Sequence, residues 1–149
     1  MWALSLEGER KPRMVLPHGM LGRLSPDGHW LAYQSIESGT FEAYVVAFGG
    51  GQGKWQVSPT GGGVPQWSRD GKELYFLDGT FSIVAVPVKD AGGALQFGAV
   101  QTLVNRITVV TFPFYDVAPD GKKILVAQLA QQVSQSVTVV TNFAAELKK

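Results

Sequence analysis

One turn motif occurs three times in the chain, and each copy lies between short apolar stretches. The copies are Ser25-Pro26-Asp27-Gly28, Ser68-Arg69-Asp70-Gly71 and Ala118-Pro119-Asp120-Gly121. Their aspartates are 43 and then 50 residues apart. An Asp-Gly pair in this setting favours a tight hairpin, because aspartate accepts hydrogen bonds from backbone amides and glycine adopts positive φ without strain. The repeat therefore predicts a chain built from several similar β units.

The residues that follow each turn predict the composition of one unit. Apolar triplets come first, without the alternation of a strand exposed on one face, so we expect these strands to be buried on both faces. They are Leu31-Ala32-Tyr33, Leu74-Tyr75-Phe76 and Ile124-Leu125-Val126. Third strands are predicted at 42–47, 82–88 and 137–140, and fourth strands at 55–58 and 101–104. Four strands in a period of roughly 40 to 50 residues indicate the blade of a β-propeller.

Two more strands are predicted before the first repeat, at 2–6 and 13–16. The predicted fold is all-β, with about three four-stranded antiparallel blades. The predicted divisions are outer strands of a preceding blade at 1–16, blade one at 17–60, blade two at 61–105, and blade three, lacking its outer strand, at 106–149.

Thirteen strands are too few for a closed ring of four-stranded blades. An incomplete ring would leave apolar blade faces uncovered, so we expect a homo-oligomer. The simplest form is a dimer that closes a six-bladed ring by exchanging the strand at 13–16. In that arrangement the strands at 2–6 and 137–140 would both be the third strand of the same blade. The strand at 2–6 must therefore move aside, pair elsewhere or displace the other.

Composition supports a β architecture and excludes several kinds of site. The 18 glycines and 8 prolines oppose a helical repeat. The absence of cysteine excludes disulfides, thiolate zinc sites, iron–sulfur clusters and a cysteine nucleophile. A net charge of +1 gives no electrostatic support for a nucleic-acid or anionic-membrane partner. The sequence shows neither a signal-peptide pattern nor an apolar run of membrane-spanning length, and the compartment stays open.

The hairpin at 25–28, its apolar triplet and the strand that follows Gly39 resemble the TolB-like, WD40-like propellers of bacteria. Residues 53–58, the glycine-rich turn after them and the stretch 137–149 also resemble the last blades of propellers attached to bacterial serine/threonine kinases. The kinase motifs themselves do not occur in the sequence. The resemblance implies a binding or sensing scaffold without catalytic activity, of a kind often found outside the cytoplasm.

The three turn aspartates are the most prominent acidic positions. We interpret Asp27, Asp70 and Asp120 as caps of their own turns, because a catalytic pair needs two carboxylates in one place and not one in each unit. His18 and His29 lack the neighbouring ligands of a metal site. The sequence therefore predicts no metal site.

No other sequence pattern indicates catalysis. The glycine-rich stretch at 49–54 lacks the pattern of a phosphate-binding loop, since Phe48 and Trp55 occupy its two defining positions. No Gly-x-Ser-x-Gly elbow occurs either. We therefore predict no catalytic residue and no cofactor.

Two groups of side chains are predicted to have different roles. The aromatic residues at equivalent positions of the repeat are expected to pack between blades. They are Trp30, Tyr33, Trp67, Tyr75 and Phe76.

The loops at 17–22, 63–66 and 112–116 are expected to converge at the mouth of a channel, where a protein or small-molecule ligand would bind. The candidate ligand-binding residues are His18, Arg23, Gln66, Arg69, Arg106, Phe112, Phe114, Tyr115 and Asp116.

The function predicted from the sequence is a non-catalytic protein- or ligand-interaction scaffold. One alternative is a sensory or accessory domain detached from a kinase-like or peptidase-like enzyme. A second alternative is a stand-alone hydrolase or carbohydrate-binding propeller.

Overall fold

The computed structural model describes residues 1–108 and 114–127, and all regular secondary structure in this part of the chain is β-strand. Within these residues there is no helix with the length and apolar character needed to cross a membrane. The all-β prediction is confirmed. The strands are β1 (Trp2–Leu4), β2 (Pro12–Met14), β3 (Met20–Leu24), β4 (Trp30–Ser35), β5 (Glu42–Ala47), β6 (Lys54–Gln56), β7 (Gly62–Trp67), β8 (Glu73–Asp78), β9 (Ile83–Asp90), β10 (Leu95–Phe97), β11 (Gln101–Val104), β12 (Tyr115–Val117) and β13 (Ile124–Val126).

The strands form four antiparallel sheets that follow one another along the chain. Strands β1 and β2 form a pair, which we call the N-terminal pair, and β3 to β6 form the first sheet in the order of the sequence. In the second sheet β7, β8 and β9 are neighbours in order, and β10 and β11 both pair with β9. Strands β12 and β13 form the last described pair. None of these sheets closes on itself.

The strand at 42–47 has the predicted bounds, and the strands at 82–88 and 55–58 are shifted by one or a few residues. Strand β10 was missed because only Leu95 and Phe97 are apolar in so short a segment. The hydrogen bond from the Ala91 N–H to the Ala94 carbonyl closes the turn before it. The predicted strand at 137–140 lies outside the described residues.

The second sheet is buried on both faces, as the apolar triplets predict. Every second residue of β8 and β9 packs on the first sheet. These residues are Leu74, Phe76, Val84 and Val86, and they pack against Trp30, Ala32, Ala43 and Val45. The intervening residues of the same strands pack on the other side: Tyr75, Leu77, Ile83 and Ala85 against Ile107 and Tyr115. The prediction that the repeated aromatics pack between sheets is confirmed for Trp30, Tyr75 and Phe76.

The other face of the first sheet lies against the N-terminal pair. The thioether of Met1 lies over Gly22, where a Cβ would come within 2.6 Å of the sulfur. The rings of Tyr33 and Tyr44 stack on this face with centroids 5.6 Å apart. The described residues therefore form successive layers in chain order: the N-terminal pair, the first sheet, the second sheet and the β12–β13 pair.

Candidate functional site

The turn motif is held by the same contacts in the first two copies. In the first, the Ser25 hydroxyl donates to Asp27 at 2.5 Å and accepts the Trp30 N–H at 2.9 Å. The Asp27 carboxylate also accepts the His29 N–H at 3.0 Å. Gly28 has a φ of 74°, which a residue with a side chain rarely adopts. The interpretation of the aspartate as a cap is confirmed in this turn.

The second turn repeats these three contacts, and the third has only one of them. Ser68 donates to Asp70 at 2.8 Å, and Asp70 accepts the Lys72 N–H at 3.1 Å. Asp120 accepts the Lys122 N–H at 3.0 Å, but Ala118 has no hydroxyl to donate. The hydrogen bonds from the serine hydroxyls are the main cause that lowers the pKa of Asp27 and of Asp70. All three aspartates are therefore structural.

An apolar cavity of about 760 Å³ lies where the first and second sheets meet. We call it the groove. It is formed by the starts of β3, β5 and β7, the end of β8 and the turns beside them. Its apolar lining residues are Met20, Leu21, Phe41, Val64, Leu77, Phe81 and Phe114. Met20, Leu21, Gly63, Val64 and Phe114 belong to the ranges 17–22, 63–66 and 112–116, from which the sequence predicts a ligand-binding surface.

Three of the lining residues, Leu21, Val64 and Phe81, have a backbone conformation that is rare for their type. Leu21 and Val64 have φ values of 55° and 54°, and both lie where the pairing register shifts. They are 43 residues apart, as are the first two turn aspartates, so they occupy equivalent positions of the repeat. Phe114 follows Val64 by 50 residues and occupies the third equivalent position. The repeat therefore brings one apolar side chain from each of three layers to the groove.

A hydrogen bond between the sheets fixes one wall of the groove. The side-chain oxygen of Gln34 accepts the Val64 N–H at 3.0 Å. A Cβ on Gly63 would lie 1.9 Å from the same oxygen, so this approach requires a glycine. The register shift leaves the Val64 N–H without a partner in the pairing of β7 with β8, and Gln34 supplies the missing acceptor.

The charged residues in the described lining of the groove, Glu42 and Asp78, are both acidic. Glu42 is only 6% exposed, and its carboxylate accepts hydrogen bonds from the hydroxyls of Ser58 and Thr40. Asp78 accepts the backbone N–H groups of Thr80 and Ser82. Burial opposes ionisation of Asp78, but these hydrogen bonds outweigh it and lower its pKa.

Three of the predicted ligand-binding residues contact the groove or the sheets around it. Phe114 lines the groove. The Gln66 side-chain amide donates to the Tyr115 carbonyl at 2.8 Å, and the Tyr115 hydroxyl donates to the Val64 carbonyl at 2.7 Å. Burial raises the pKa of the Tyr115 phenol. Gln66 and Tyr115 thus connect the second sheet to β12.

The other predicted residues do not join them in one site. Arg69 lines a separate crevice of about 820 Å³ between the second and third turn motifs. The remaining described candidates are exposed and line neither of these two cavities: His18, Arg23, Arg106 and Asp116. Phe112 lies outside the described residues.

Sequence reasoning missed Glu42 and Phe81 in the groove lining, and it covered Leu21 and Val64 only through the predicted ranges 17–22 and 63–66, without naming them as candidates. Leu21 and Val64 could have been found by extending the repeat alignment to positions before the turns. Glu42 is an acidic residue at the start of an otherwise apolar strand, and that was an available signal. Phe81 has no equivalent signal, because it belongs to a short turn with a positive φ of 61°.

The described residues contain no group of three or more His, Asp or Glu side chains that could hold a metal ion. A comparison with the models of known protein families finds no match, and neither does a comparison with curated protein sequences.

Proposed function

We propose that the chain is a set of TolB-like propeller blades that acts as a binding scaffold without catalytic activity. The first sheet would be blade one and the second sheet blade two, with the N-terminal pair and the β12–β13 pair as parts of the blades on either side. The meander order of the first sheet and the stacking of successive sheets support this assignment. The resemblance of the repeat to TolB-like propellers supports it independently.

The groove is the observation that carries the binding role. Its volume of about 760 Å³ falls in the range of small-ligand cavities, and apolar residues dominate its lining. Leu21 and Val64 hold positive φ angles, which cost about 1–3 kcal/mol each and concentrate at functional sites. Phe41 and Phe81 are 52% and 54% exposed at its mouth, so a ligand would find apolar surface already in place.

The binding role is tested with a neutral apolar dye, N-phenyl-1-naphthylamine, added to the purified chain. We expect saturable fluorescence enhancement that a Phe41→Ser, Phe81→Ser double variant weakens by about tenfold. Ile36 and Leu103 are exposed apolar residues that do not line the groove, so Ile36→Ser, Leu103→Ser is the matched control. Dye binding that does not saturate, or that both double variants weaken equally, would contradict the proposal.

We also propose that copies of the chain associate. Trp2 is 63% exposed, and Leu4 and Met14 are exposed beside it on the N-terminal pair. In the structure the segment predicted to exchange, 13–16, contacts its own chain: β2 pairs with β1, and the Val15 N–H donates to the Met1 carbonyl. Exchange would require this pair to open, so association through the apolar face of the pair is the simpler form.

Light scattering coupled to size-exclusion chromatography tests this association, because it measures the mass of the protein in solution. We expect a dimer or larger species that Trp2→Ser, Leu4→Ser converts to monomer. A wild-type chain that is monomeric at every concentration tested would refute association.

A further inference from the structure

The groove carries a second chemical feature beyond its apolar character, and this inference rests on its proposed binding role. Its described lining residues include two acidic ones, Glu42 and Asp78, and no lysine, arginine or histidine. In this part of the lining a ligand would therefore meet negative charge and no basic side chain.

In the part of the chain that the structure describes, no positively charged side chain pairs with Glu42, although a buried carboxylate usually has such a partner. Its hydrogen-bond donors, Ser58 and Thr40, are neutral hydroxyls. The ion pairs in residues 1–108 and 114–127 join other residues: Lys11 with Glu9, Lys54 with Glu37 and Lys72 with Asp70. A cation placed in the groove would offset the cost of burying this charge.

Asp78 adds a second negative charge on the opposite sheet. Its carboxylate accepts hydrogen bonds from the Thr80 N–H at 2.8 Å and the Ser82 N–H at 2.9 Å. These bonds favour the ionised form, so the carboxylate is charged at neutral pH. The two acids thus come from β5 and from the end of β8, on two sides of the same cavity.

Aromatic side chains supply the remaining element of cation recognition. Phe41 and Phe81 are half exposed and Phe114 is half buried, and all three line the groove. The face of an aromatic ring attracts a cation, most strongly where water is partly excluded. Met20, Leu21 and Val64 provide apolar surface for the body of a ligand.

We propose that the groove binds a small organic cation, an amine or quaternary ammonium compound that carries an apolar body. The ammonium group would lie near Glu42, Asp78 and the phenylalanine rings, and the apolar body would contact Leu21 and Val64. The cavity volume matches a small molecule better than an extended chain segment.

The test compares three ligands of the same shape by isothermal titration calorimetry: 4-phenylbutylamine, 4-phenylbutanol and 4-phenylbutyrate. We expect the amine to bind about tenfold more tightly than the alcohol, and the carboxylate to bind most weakly. Added salt should weaken binding of the amine and leave the alcohol unchanged. Because this comparison uses the unmodified chain, it does not depend on any variant folding.

Two variants then locate the charge. Glu42→Gln and Asp78→Asn should each reduce the preference for amine over alcohol without weakening the alcohol. Glu7→Gln is the matched control, because Glu7 is an exposed glutamate that does not line the groove. Thermal unfolding of each variant establishes that it is folded.

The outcomes separate this inference from the proposed function. Equal binding of all three ligands, or an equal effect of Glu7→Gln and Glu42→Gln, would overturn the cation preference and leave an apolar binding groove. Failure of both the three ligands and the neutral dye to bind would remove the binding role together with the inference. A lysine peptide such as acetyl-Phe-Lys-Phe-amide that binds more tightly than the free amine would overturn the small-molecule assignment.

Discussion

The side-chain oxygen of Gln34 lies 3.0 Å from the backbone nitrogen of Val64 and accepts its hydrogen bond across the boundary between the first and second sheets. Gln34 is on β4 and Val64 is on β7, at the point where the register of β7 with β8 shifts. The contact places a polar connection in the wall of an apolar groove. It is possible only because Gly63 has no Cβ in the path of the glutamine.

The first prediction concerns this glycine. Gly63→Ala should lower the free energy of unfolding by about 1–3 kcal/mol, because the new methyl group displaces Gln34 and leaves the Val64 N–H without its acceptor. In a Gln34→Ala background the same change should cost much less, since the obstructing side chain is gone. Urea denaturation of the two single variants and the double variant measures this coupling. If Gly63→Ala lowers the free energy of unfolding equally in both backgrounds, loss of the hydrogen bond between Gln34 and Val64 is not the cause of the destabilisation.

The second prediction concerns the third turn, which has alanine where the other two have serine. Ala118→Ser should raise the free energy of unfolding by about 0.5–1.5 kcal/mol, because the hydroxyl can donate to Asp120 and accept the Lys123 N–H. The backbone already has the geometry of the other turns: the Ala118 N–H donates to the Lys123 carbonyl at 2.9 Å, as Ser68 does to Glu73. Ala91→Ser in an exposed turn is the control, and thermal or urea denaturation is the measurement. If Ala118→Ser is no more stable than Ala91→Ser, a serine at position 118 does not form the hydrogen bonds seen in the first two turns.

The reverse change gives the third prediction. Ser68→Ala should lower the free energy of unfolding by about 1–3 kcal/mol, because it removes the acceptor of the partly buried Glu73 N–H and the donor to Asp70. Ser5→Ala, at an exposed serine with only local hydrogen bonds, should change stability little. Similar losses in the two variants would contradict the structural role of Ser68.

The fourth prediction is the acid dependence of stability. The pKa of Asp27 and of Asp70 is lowered from 3.8, first by the serine hydroxyl bonds. At pH values between the folded and unfolded pKa the unfolded chain binds more protons, so the stabilisation is complete above pH 4 and is lost as the pH falls below it. The Asp27→Asn, Asp70→Asn double variant should show a flatter decline of stability below pH 4 than the parent chain. The effect is small because both carboxylates are exposed.

Denaturant melts at pH 5, 4, 3 and 2.5 measure that slope. Glu7→Gln is the control, because it removes a carboxylate whose side chain makes none of the hydrogen bonds found in the described residues. A slope that Glu7→Gln flattens as much as the aspartate variant would argue against the turns as its source.

The fifth prediction concerns Tyr75 in alkaline solution. Burial, together with the hydrogen bond from its hydroxyl to Glu73 at 2.7 Å, raises the pKa of Tyr75 to about 12. Because the unfolded chain loses this proton first, the stabilisation is complete below the ordinary pKa of 10 and is lost as the pH rises towards 12. Glu73→Gln should move ionisation of Tyr75 to lower pH, measured as the tyrosinate absorbance that Tyr75→Phe removes. An unchanged titration in Glu73→Gln would exclude a contribution from the carboxylate.

Local chemistry explains why much of the fold could be predicted. The Ser-x-Asp-Gly contacts in the first two turns involve residues at most five positions apart, so the motif alone contains the information. The apolar triplets predicted strands buried on both faces, and Leu74, Tyr75 and Phe76 each exclude solvent in the structure. The bounds of β5 at 42–47 could be predicted because five apolar residues, 43–47, follow Glu42 without interruption.

The site could be predicted only in outline. The predicted ranges 17–22 and 63–66 supply Met20, Leu21, Gly63 and Val64 to the groove, although these four residues lie at the starts of β3 and β7 and not in loops. Arg69 and Gln66 are both predicted ligand-binding residues, yet Arg69 lines another crevice and the Gln66 amide donates to the Tyr115 carbonyl. Side-chain type does not indicate which neighbour a polar group will find.

The sequence by itself determined the repeat, its hairpin turns and the all-β character, because these depend on hydrogen bonds and φ angles within a few residues. Only the tertiary structure decided that Glu42, Asp78 and the apolar side chains at 21, 64 and 114 share one cavity. Those residues come from separate layers. They lie close together because the sheets stack, because the register shifts at two points, and because Gly63 has no Cβ to block the hydrogen bond between Gln34 and Val64. Such long-range geometry is fixed by packing between strands and not by the residues of any one strand.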